Sequence, residues 1–268
     1  MTEYPRCLSP ASPPFDPLQL AELTQRLVSR DRDAARKYTE VYVVGVYGGI
    51  ATAYAVGCPL RCIFCWVDDS REYPEHRGRF YTPSALVAAL EAAAQTKRIR
   101  KARISGAEPT LCKAHLLQVL PLIEASLFDS FILETNGILF GADPDYVRQV
   151  AQFEKVYIRV SLKAGTPDGF RRRTGAVGDS YRLPYQAIRH LLEAHARFHV
   201  AAMTDSRLMP PEERRQLVHL LGELDPRLAA ELEEEVCDPY RATKRRLAAA
   251  GIDVAGFFTR NQPIYASR

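Results

Sequence analysis

At 268 residues, with 47% hydrophobic and 25% charged residues, the chain has the size and composition of one large globular domain, or of one domain with small appendages. Its net charge of +4, from 36 basic and 32 acidic residues, is too small to imply a nucleic-acid partner by itself. No window approaches the roughly 18 consecutive apolar residues of a membrane span, and MTEYPRCLSPASPPFDP lacks the apolar centre of a signal peptide, so a cytoplasmic protein without membrane association is expected.

Residues 1–17, rich in proline and serine, are expected to lie over the surface as an arm. Asp16-Pro17 opens an amphipathic helix whose Leu18, Leu20, Leu23 and Leu27 recur about one turn apart. The β-rich run Val41-Tyr42-Val43-Val44 is suited to a hairpin with the segment after it. From residue 49 a repeated rhythm predicts strands at 49–55, 101–105, 131–135, 155–162 and 199–203. Helices are predicted at 83–94, 114–123, 144–152, 167–173, 184–196 and 211–221, with Asp143 capping the third. Short apolar strands alternating with helices point to parallel βα units. Five in one run predict an α/β fold, a partial (β/α)6-type TIM barrel with an N-terminal arm and a helical C-terminal tail. The expected organisation is 1–47 for an extension of arm, helix and β segment, 48–223 for the core barrel, and 224–268 for a C-terminal helical extension. That extension reads as helix from Pro226 to about Ala249, divided by Pro239, and Gly256-Phe257-Phe258-Thr259-Arg260 carries no legible motif.

The polar stations of this rhythm share one edge. Cys58, Gly106-Ala107-Glu108, Glu134-Thr135-Asn136, Ser161-Leu162-Lys163 and Met203-Thr204 fall at or just beyond the C-terminal ends of predicted strands. In barrels, active sites assemble on that edge. Asp68, Asp69, Glu72 and His76 come after the cysteines and read equally as substrate-side groups or as loop solvation.

Of six cysteines, Cys58, Cys62 and Cys65 make a C-x3-C-x2-C loop, while Cys7, Cys112 and Cys237 are scattered and read as small buried hydrophobes. Clustered cysteines in an intracellular chain read as metal-binding or catalytic before they read as disulfides. Thiolates suit iron–sulfur clusters or zinc. Three on one loop can wrap a cuboidal cluster and leave its fourth iron without a protein ligand, free to chelate the amino and carboxylate groups of an amino-acid-like cofactor. The alternatives are a structural zinc site with His76 as fourth ligand, for which the spacing is a poor match, and an electron carrier, which would supply four cysteines rather than three.

The C-x3-C-x2-C loop, preceded by a strand and followed by Trp66, resembles the signature of the radical S-adenosylmethionine (SAM) superfamily, and the resemblance extends over roughly residues 48–205. It implies a 4Fe–4S cluster on Cys58, Cys62 and Cys65 that splits SAM into methionine and a 5′-deoxyadenosyl radical. Arg103-Ile104-Ser105-Gly106-Ala107-Glu108-Pro109 resembles the family's G-G-E-P segment with alanine for the second glycine. The resemblance assigns Gly106, Ala107 and Glu108 to the SAM ammonium, whose polarity suits backbone carbonyls and a carboxylate. Leu133-Glu134-Thr135-Asn136-Gly137 resembles the segment near the ribose, with Glu134 and Asn136 as candidates; Asn136-Gly137 is also an ordinary turn pair. Ser161 and Lys163 match the fourth-strand station near the ribose and carboxylate, although a lysine after a strand also suits solvent. Phe64 and Trp66 either shield the cluster and adenine or pack in the core, and Arg61 is a candidate for tuning the cluster potential.

The resemblance also implies an electron donor such as a flavodoxin or ferredoxin, and an oxidoreductase role. Tyr47-Gly48-Gly49-Ile50-Ala51-Thr52 and Gly165-Thr166-Pro167-Asp168-Gly169-Phe170 bring the chain nearest to short single-cluster members of the pyruvate formate-lyase-activase type, whose substrate is a protein glycine. A small metabolite is the second candidate substrate. RNA is the third, supported by Arg171-Arg172-Arg173 and by Arg241 with Lys244-Arg245-Arg246, which read otherwise as solvated helix faces.

Overall fold

The computed structural model describes residues 4–259; residues 1–3 of the expected arm and Arg260 onward lie outside the described residues. Nine strands form one sheet: β1 (Ser29–Arg30), β2 (Ala35–Val44), β3 (Ile50–Ala55), β4 (Arg79–Tyr81), β5 (Lys101–Gly106), β6 (Ser130–Thr135), β7 (Val156–Leu162), β8 (Phe198–Met203) and β9 (Glu233–Glu235). Their spatial order is β1-β2-β3-β5-β6-β7-β8-β9, with β4 paired to β2. The run β3-β5-β6-β7-β8-β9 is parallel throughout, and β2 meets β3 antiparallel as the expected hairpin. The sheet does not close, so this is a partial barrel of six parallel strands.

Eleven helices are described: α1 (Pro17–Val28), α2 (Pro83–Gln95), α3 (Lys113–Ala125), α4 (Ile138–Ala142), α5 (Pro144–Val150), α6 (Pro167–Thr174), α7 (Arg182–Glu193), α8 (Pro211–Leu224), α9 (Pro226–Ala230), α10 (Arg241–Ala249) and α11 (Val254–Thr259). Five of them start alike, with Asp16, Thr82, Asp143, Thr166 or Asp225 accepting a first-turn N–H and proline at the next position. The cap satisfies a donor that the helix cannot, and proline there gives up an N–H that had no partner. No helix among the described residues is long and apolar enough to cross a membrane.

Side-chain alternation splits the sheet into two unlike faces. Ala51, Ala53, Ala102, Ile104, Leu133, Ile158, Val160, Val200 and Ala202 pack under the helices against Leu86, Leu120, Ile188, Leu191 and Leu221. The intervening positions carry Thr52, Arg103, Ser105, Glu134, Arg159, Ser161, Glu233 and Glu235 on the concave face. Parallel strands buried on both sides are usually apolar throughout. Here the concave side is polar.

The tail is helical in α9 and α10, within the expected span of Pro226 to about Ala249, but the break between them is a strand and a loop over 231–240 rather than a division at Pro239 alone. β9 is made of three glutamates, poor strand formers, held by pairing with β8 and by opposite charges. Glu233 and Glu235 turn inward to Arg159, and Glu234 turns outward to Arg214 at 2.6–2.7 Å. No hydrophobic pattern announces such a strand. β4, α4 and α11 are likewise not legible from the sequence pattern.

Candidate active site

The cysteine loop begins where β3 ends. Gly57 takes φ +86°, and a Cβ there would lie 2.6 Å from Thr24 Cγ2 of α1, so glycine turns the chain from strand to loop. Four arginines are among the largest fully buried side chains: Arg36, Arg61, Arg71 and Arg246. Arg61 donates to the carbonyls of Cys58 (2.7 Å), Leu60 (2.9 Å) and Pro5 (2.6 Å) and lies over the Tyr4 ring. Arg71 donates to the Cys62 carbonyl at 2.6 Å and to Glu72 at 2.5 Å. Arg246 reaches from α10 to the carbonyls of Cys65 (2.6 Å), Val67 and Asp68 (2.9 Å) and grips Glu72 with bonds of 2.7 and 2.6 Å. Burial works against ionisation of Glu72, yet Arg246 and Arg71 hold its carboxyl down at about 2. Arg36 holds the next station, binding the carbonyls of Glu108 (2.5 Å) and Pro109.

At the end of β5, Gly106 takes φ +87°, and a Cβ would press on Ala55 backbone atoms at 3.3 Å. Ala107, which replaces the family's second glycine, is not among the residues with positive φ, so alanine fits there. The Glu108 carboxylate is largely engaged inside the protein. Oε1 accepts from Thr110 N (3.1 Å), Thr110 Oγ1 (2.7 Å) and Thr135 Oγ1 (2.7 Å), and Oε2 accepts from Asn136 N at 2.8 Å. Three donors crowd Oε1, whereas Oε2 has one and is the oxygen with room for another.

Glu134 accepts from Arg103 at 2.6 Å and from Ser105. Asn136 Nδ2 donates to Cys58 Sγ at 3.7 Å, joined by Leu60 N at 3.5 Å, while Asn136 Oδ1 accepts from Ile138 N at 3.0 Å in the turn expected of Asn-Gly. Lys163 donates to Ser161 Oγ at 2.5 Å, and Ser161 donates to Glu235 at 2.7 Å. Lys163 Nζ also lies 5.9 Å from the centre of the Phe64 ring.

These stations surround one cavity of about 240 Å³. Its lining includes the twelve residues that the sequence assigns to cluster and cofactor, Cys58, Cys62, Cys65, Phe64, Trp66, Gly106, Ala107, Glu108, Glu134, Asn136, Ser161 and Lys163, but not the further candidates Arg61, Asp68, Asp69, Glu72 and His76. Phe64 is buried, whereas Trp66 is 46% exposed at the mouth, edge-on to Tyr54 with centroids 6.0 Å apart. Arg71, Arg159, Glu235 and Asp238 line the same cavity without having been legible as site residues in the sequence. Arg71 carried no signal, since arginine after a loop normally faces water. Glu72 lies behind the loop, and His76, the alternative zinc ligand, is a surface residue 3.8 Å from Glu75. Asp69 pairs with Arg77 and Arg245. Cys112 and Cys237 are buried as expected, while Cys7 is half-buried with its thiol 3.6 Å from Glu72.

The donor set fits a thiolate-bound iron–sulfur cluster. Burial pushes the Cys58 thiol up to about 12 and raises Cys62 as well, so their thiolates require positive charge nearby. Lys163 and Arg71 both offer that charge in the cavity wall. Arg61 Nη2 and Arg71 Nε are buried with no hydrogen-bond partner among the described residues. Among those residues, no three His, Cys, Asp or Glu side chains converge on a single metal-ion position. A cuboidal cluster does not ask for that, because each thiolate binds a different iron.

Comparison with known proteins agrees with this geometry. A profile of the Radical SAM superfamily matches residues 53–223. GTP 3′,8-cyclase of Desulforamulus reducens is 31% identical over 147 residues, 52% of this chain and 41% of the cyclase, so the chain spans well under half of that relative. The structure of a radical SAM methyltransferase from Sphaerobacter thermophilus superposes with a TM-score of 0.53 at 16% identity, covering 84% of this chain and 85% of that one. Streptococcus suis SuiB bound to S-adenosylmethionine gives 0.50 at 14% identity, covering 74% and 48%. The two structures share the fold, and the profile spans more than half of the sequence, including the cysteine loop and four of the strand-end stations. The chain therefore belongs to the radical SAM superfamily, whose members work with a 4Fe–4S cluster and S-adenosylmethionine.

Proposed function

We propose that the chain is an enzyme that binds a 4Fe–4S cluster on Cys58, Cys62 and Cys65, cleaves SAM reductively, and removes a hydrogen atom from a substrate held on the concave face. The observation that carries this reading is the convergence of three thiols, a buried guanidinium and the strand-end stations on one cavity. The cluster, when bound, supplies the electron that breaks the carbon–sulfur bond of SAM; the protein's share is binding, orientation and exclusion of water.

In this reading Lys163, steadied by Ser161 and Glu235, takes the SAM carboxylate. The strand-end carbonyls around Gly106 and Ala107, with Oε2 of Glu108, take the ammonium. Asn136 donates to Cys58, and Glu134, braced by Arg103 and Ser105, stands on the ribose side. Phe64 keeps water from the metal side of the cavity. Trp66 stands at the entrance.

The polar concave face supports a small polar metabolite as substrate, positioned near Arg103, Arg159 and the β9 carboxylates. A second reading, an activase-like enzyme acting on a protein glycine, is favoured by the unclosed sheet, which leaves Glu233 with 45% of its side chain exposed. The RNA reading loses support because Arg173 and Arg246 are buried and paired with Glu213 and Glu72. A one-electron donor of the flavodoxin or ferredoxin type completes the reading.

The test is anaerobic reconstitution with iron and sulfide, reduction with dithionite and addition of SAM. 5′-Deoxyadenosine forms if the reading is right, and Cys62→Ala abolishes it. A reconstituted protein that yields none is an electron carrier or a structural cluster protein.

A further inference from the structure

Arg71 stands apart from the other buried arginines of the loop. Arg61 gives its Nε and Nη1 to the Pro5, Cys58 and Leu60 carbonyls and, although its Nη2 is also without a partner among the described residues, its side chain is not part of the cavity lining. Arg246 is saturated by Glu72 and three carbonyls. Arg71 lines the cavity together with Cys58, Cys62 and Cys65, is 1% exposed, and keeps its Nε without a partner among the described residues.

Arg61, Arg71 and Arg246 are all buried against the loop, and Glu72 is the carboxylate bonded to both Arg71 and Arg246. One carboxylate bonded to two guanidiniums leaves positive charge in a low-dielectric interior, where an unmatched charge is costly. A cluster bound by three thiolates is net negative and becomes more so on reduction.

We infer that Arg71 is a buried counter-charge of the iron–sulfur cluster, beside the Lys163 that the proposed function gives to SAM, and a positioning residue that raises the cluster's reduction potential by favouring the more negative reduced state. This rests on the proposal that Cys58, Cys62 and Cys65 hold the cluster. The Arg246–Glu72 pair fixes where the Arg71 guanidinium stands, so α10 takes part in setting the potential.

The experiment reconstitutes wild type, Arg71→Gln and Arg71→Lys anaerobically. Iron and sulfide per chain are measured, and each protein is then titrated potentiometrically by EPR without SAM. Arg71→Gln is expected to load a full cluster and show about tenfold less reduced cluster at a fixed potential, a shift of about 59 mV for a one-electron couple. Arg71→Lys keeps the charge and stays near wild type. An unshifted potential in fully loaded Arg71→Gln overturns the inference and leaves the cluster assignment standing. Wild type that takes up no cluster overturns the assignment itself, and the inference with it. If Arg71→Gln does not load, Arg71→Lys decides. Loading with a wild-type potential supports the counter-charge, and failure of both means that Arg71 only braces the loop.

Discussion

Arg246 grips Glu72 across 174 residues of sequence, in two hydrogen bonds of 2.7 and 2.6 Å, and the same guanidinium holds the carbonyls of Cys65, Val67 and Asp68. The family profile ends at residue 223. This contact therefore ties a segment outside the profile to the loop at the centre of the proposed chemistry. Glu235 of β9 does the same for Ser161.

Removing Arg246 leaves buried Glu72 with Arg71 as its one remaining ion-pair partner among the described residues, and removing Glu72 leaves the Arg246 charge without its carboxylate. Arg246→Leu is expected to destabilise the protein by about 3–5 kcal/mol. Because Glu72 and Arg246 act together, Glu72→Leu combined with Arg246→Leu should cost less than the two single effects summed, with an interaction energy of roughly 1–3 kcal/mol. Urea denaturation of the four proteins measures the cycle. Strict additivity would show that the two side chains stabilise the fold separately.

A second expectation concerns pH. His115 is 2% exposed between Ala34 and Tyr38. Its Nδ1 lies 2.7 Å from the Ala34 carbonyl, which can only accept, so Nδ1 carries the proton and Nε2 accepts from the Tyr38 hydroxyl at 2.9 Å. Burial pulls His115 down from 6.5 to about 4. The unfolded chain therefore binds a proton between these values that the folded protein refuses. The stability from neutral His115 is complete above about 6.5 and is lost as pH falls toward 4. Between pH 7 and pH 5 the loss should be on the order of 2 kcal/mol. Glu72 adds a separate loss below about pH 4.5, because its carboxyl is held at about 2. Denaturation curves at pH 7 and pH 5 test the first, and in His115→Gln the difference between them should shrink.

The parallel barrel was legible because its apolar strands alternate with proline-started helices at regular intervals. The cysteine loop was legible because its ligands are close neighbours in sequence. β9 was hidden, since a Glu-Glu-Glu strand gains its stability from Arg159, Arg214 and His199, which sequence alone does not bring near. The buried arginines were hidden for a related reason. Lys244-Arg245-Arg246 looks like a solvated basic face, and only one of its residues, Arg246, points inward, against carbonyls and a carboxylate remote in the chain.

Lys163 gives a prediction for the cofactor site. Its ammonium is anchored by Ser161, which is anchored by Glu235. Under the proposed function, Lys163→Ala removes a charge-assisted bond to the SAM carboxylate and weakens SAM binding about 10- to 100-fold, following the roughly 1.5–3 kcal/mol of such bonds. Glu235→Gln should weaken it less, because the ammonium stays while its support loosens. The chain has one tryptophan, Trp66, and it lines the mouth of this cavity. Its fluorescence in the reconstituted protein is thus a local readout of SAM binding. Unchanged affinity in Lys163→Ala would remove Lys163 from the site.

The final prediction concerns the Gly106-Ala107 pair, where this chain departs from the two glycines of its family. Gly106 has φ +87°, a region in which an L-residue is strained, and an added Cβ would meet the Ala55 backbone of β3 at 3.3 Å. Backbone cannot step aside as a side chain can. Gly106→Ala is therefore expected to cost about 1–2 kcal/mol for the left-handed conformation alone, with more from the contact. Ala107 has no positive φ, and its N–H is fixed to the Ala55 carbonyl at 3.1 Å. Ala107→Gly, which restores the family pattern, should cost no more than about 1 kcal/mol, through the greater freedom of the unfolded chain. It should leave SAM affinity unchanged, because the carbonyls that face the ammonium belong to the backbone in either case. Thermal unfolding and Trp66 titration of the two variants separate these effects. A gain in SAM affinity for Ala107→Gly would mean that the methyl group intrudes on the cofactor.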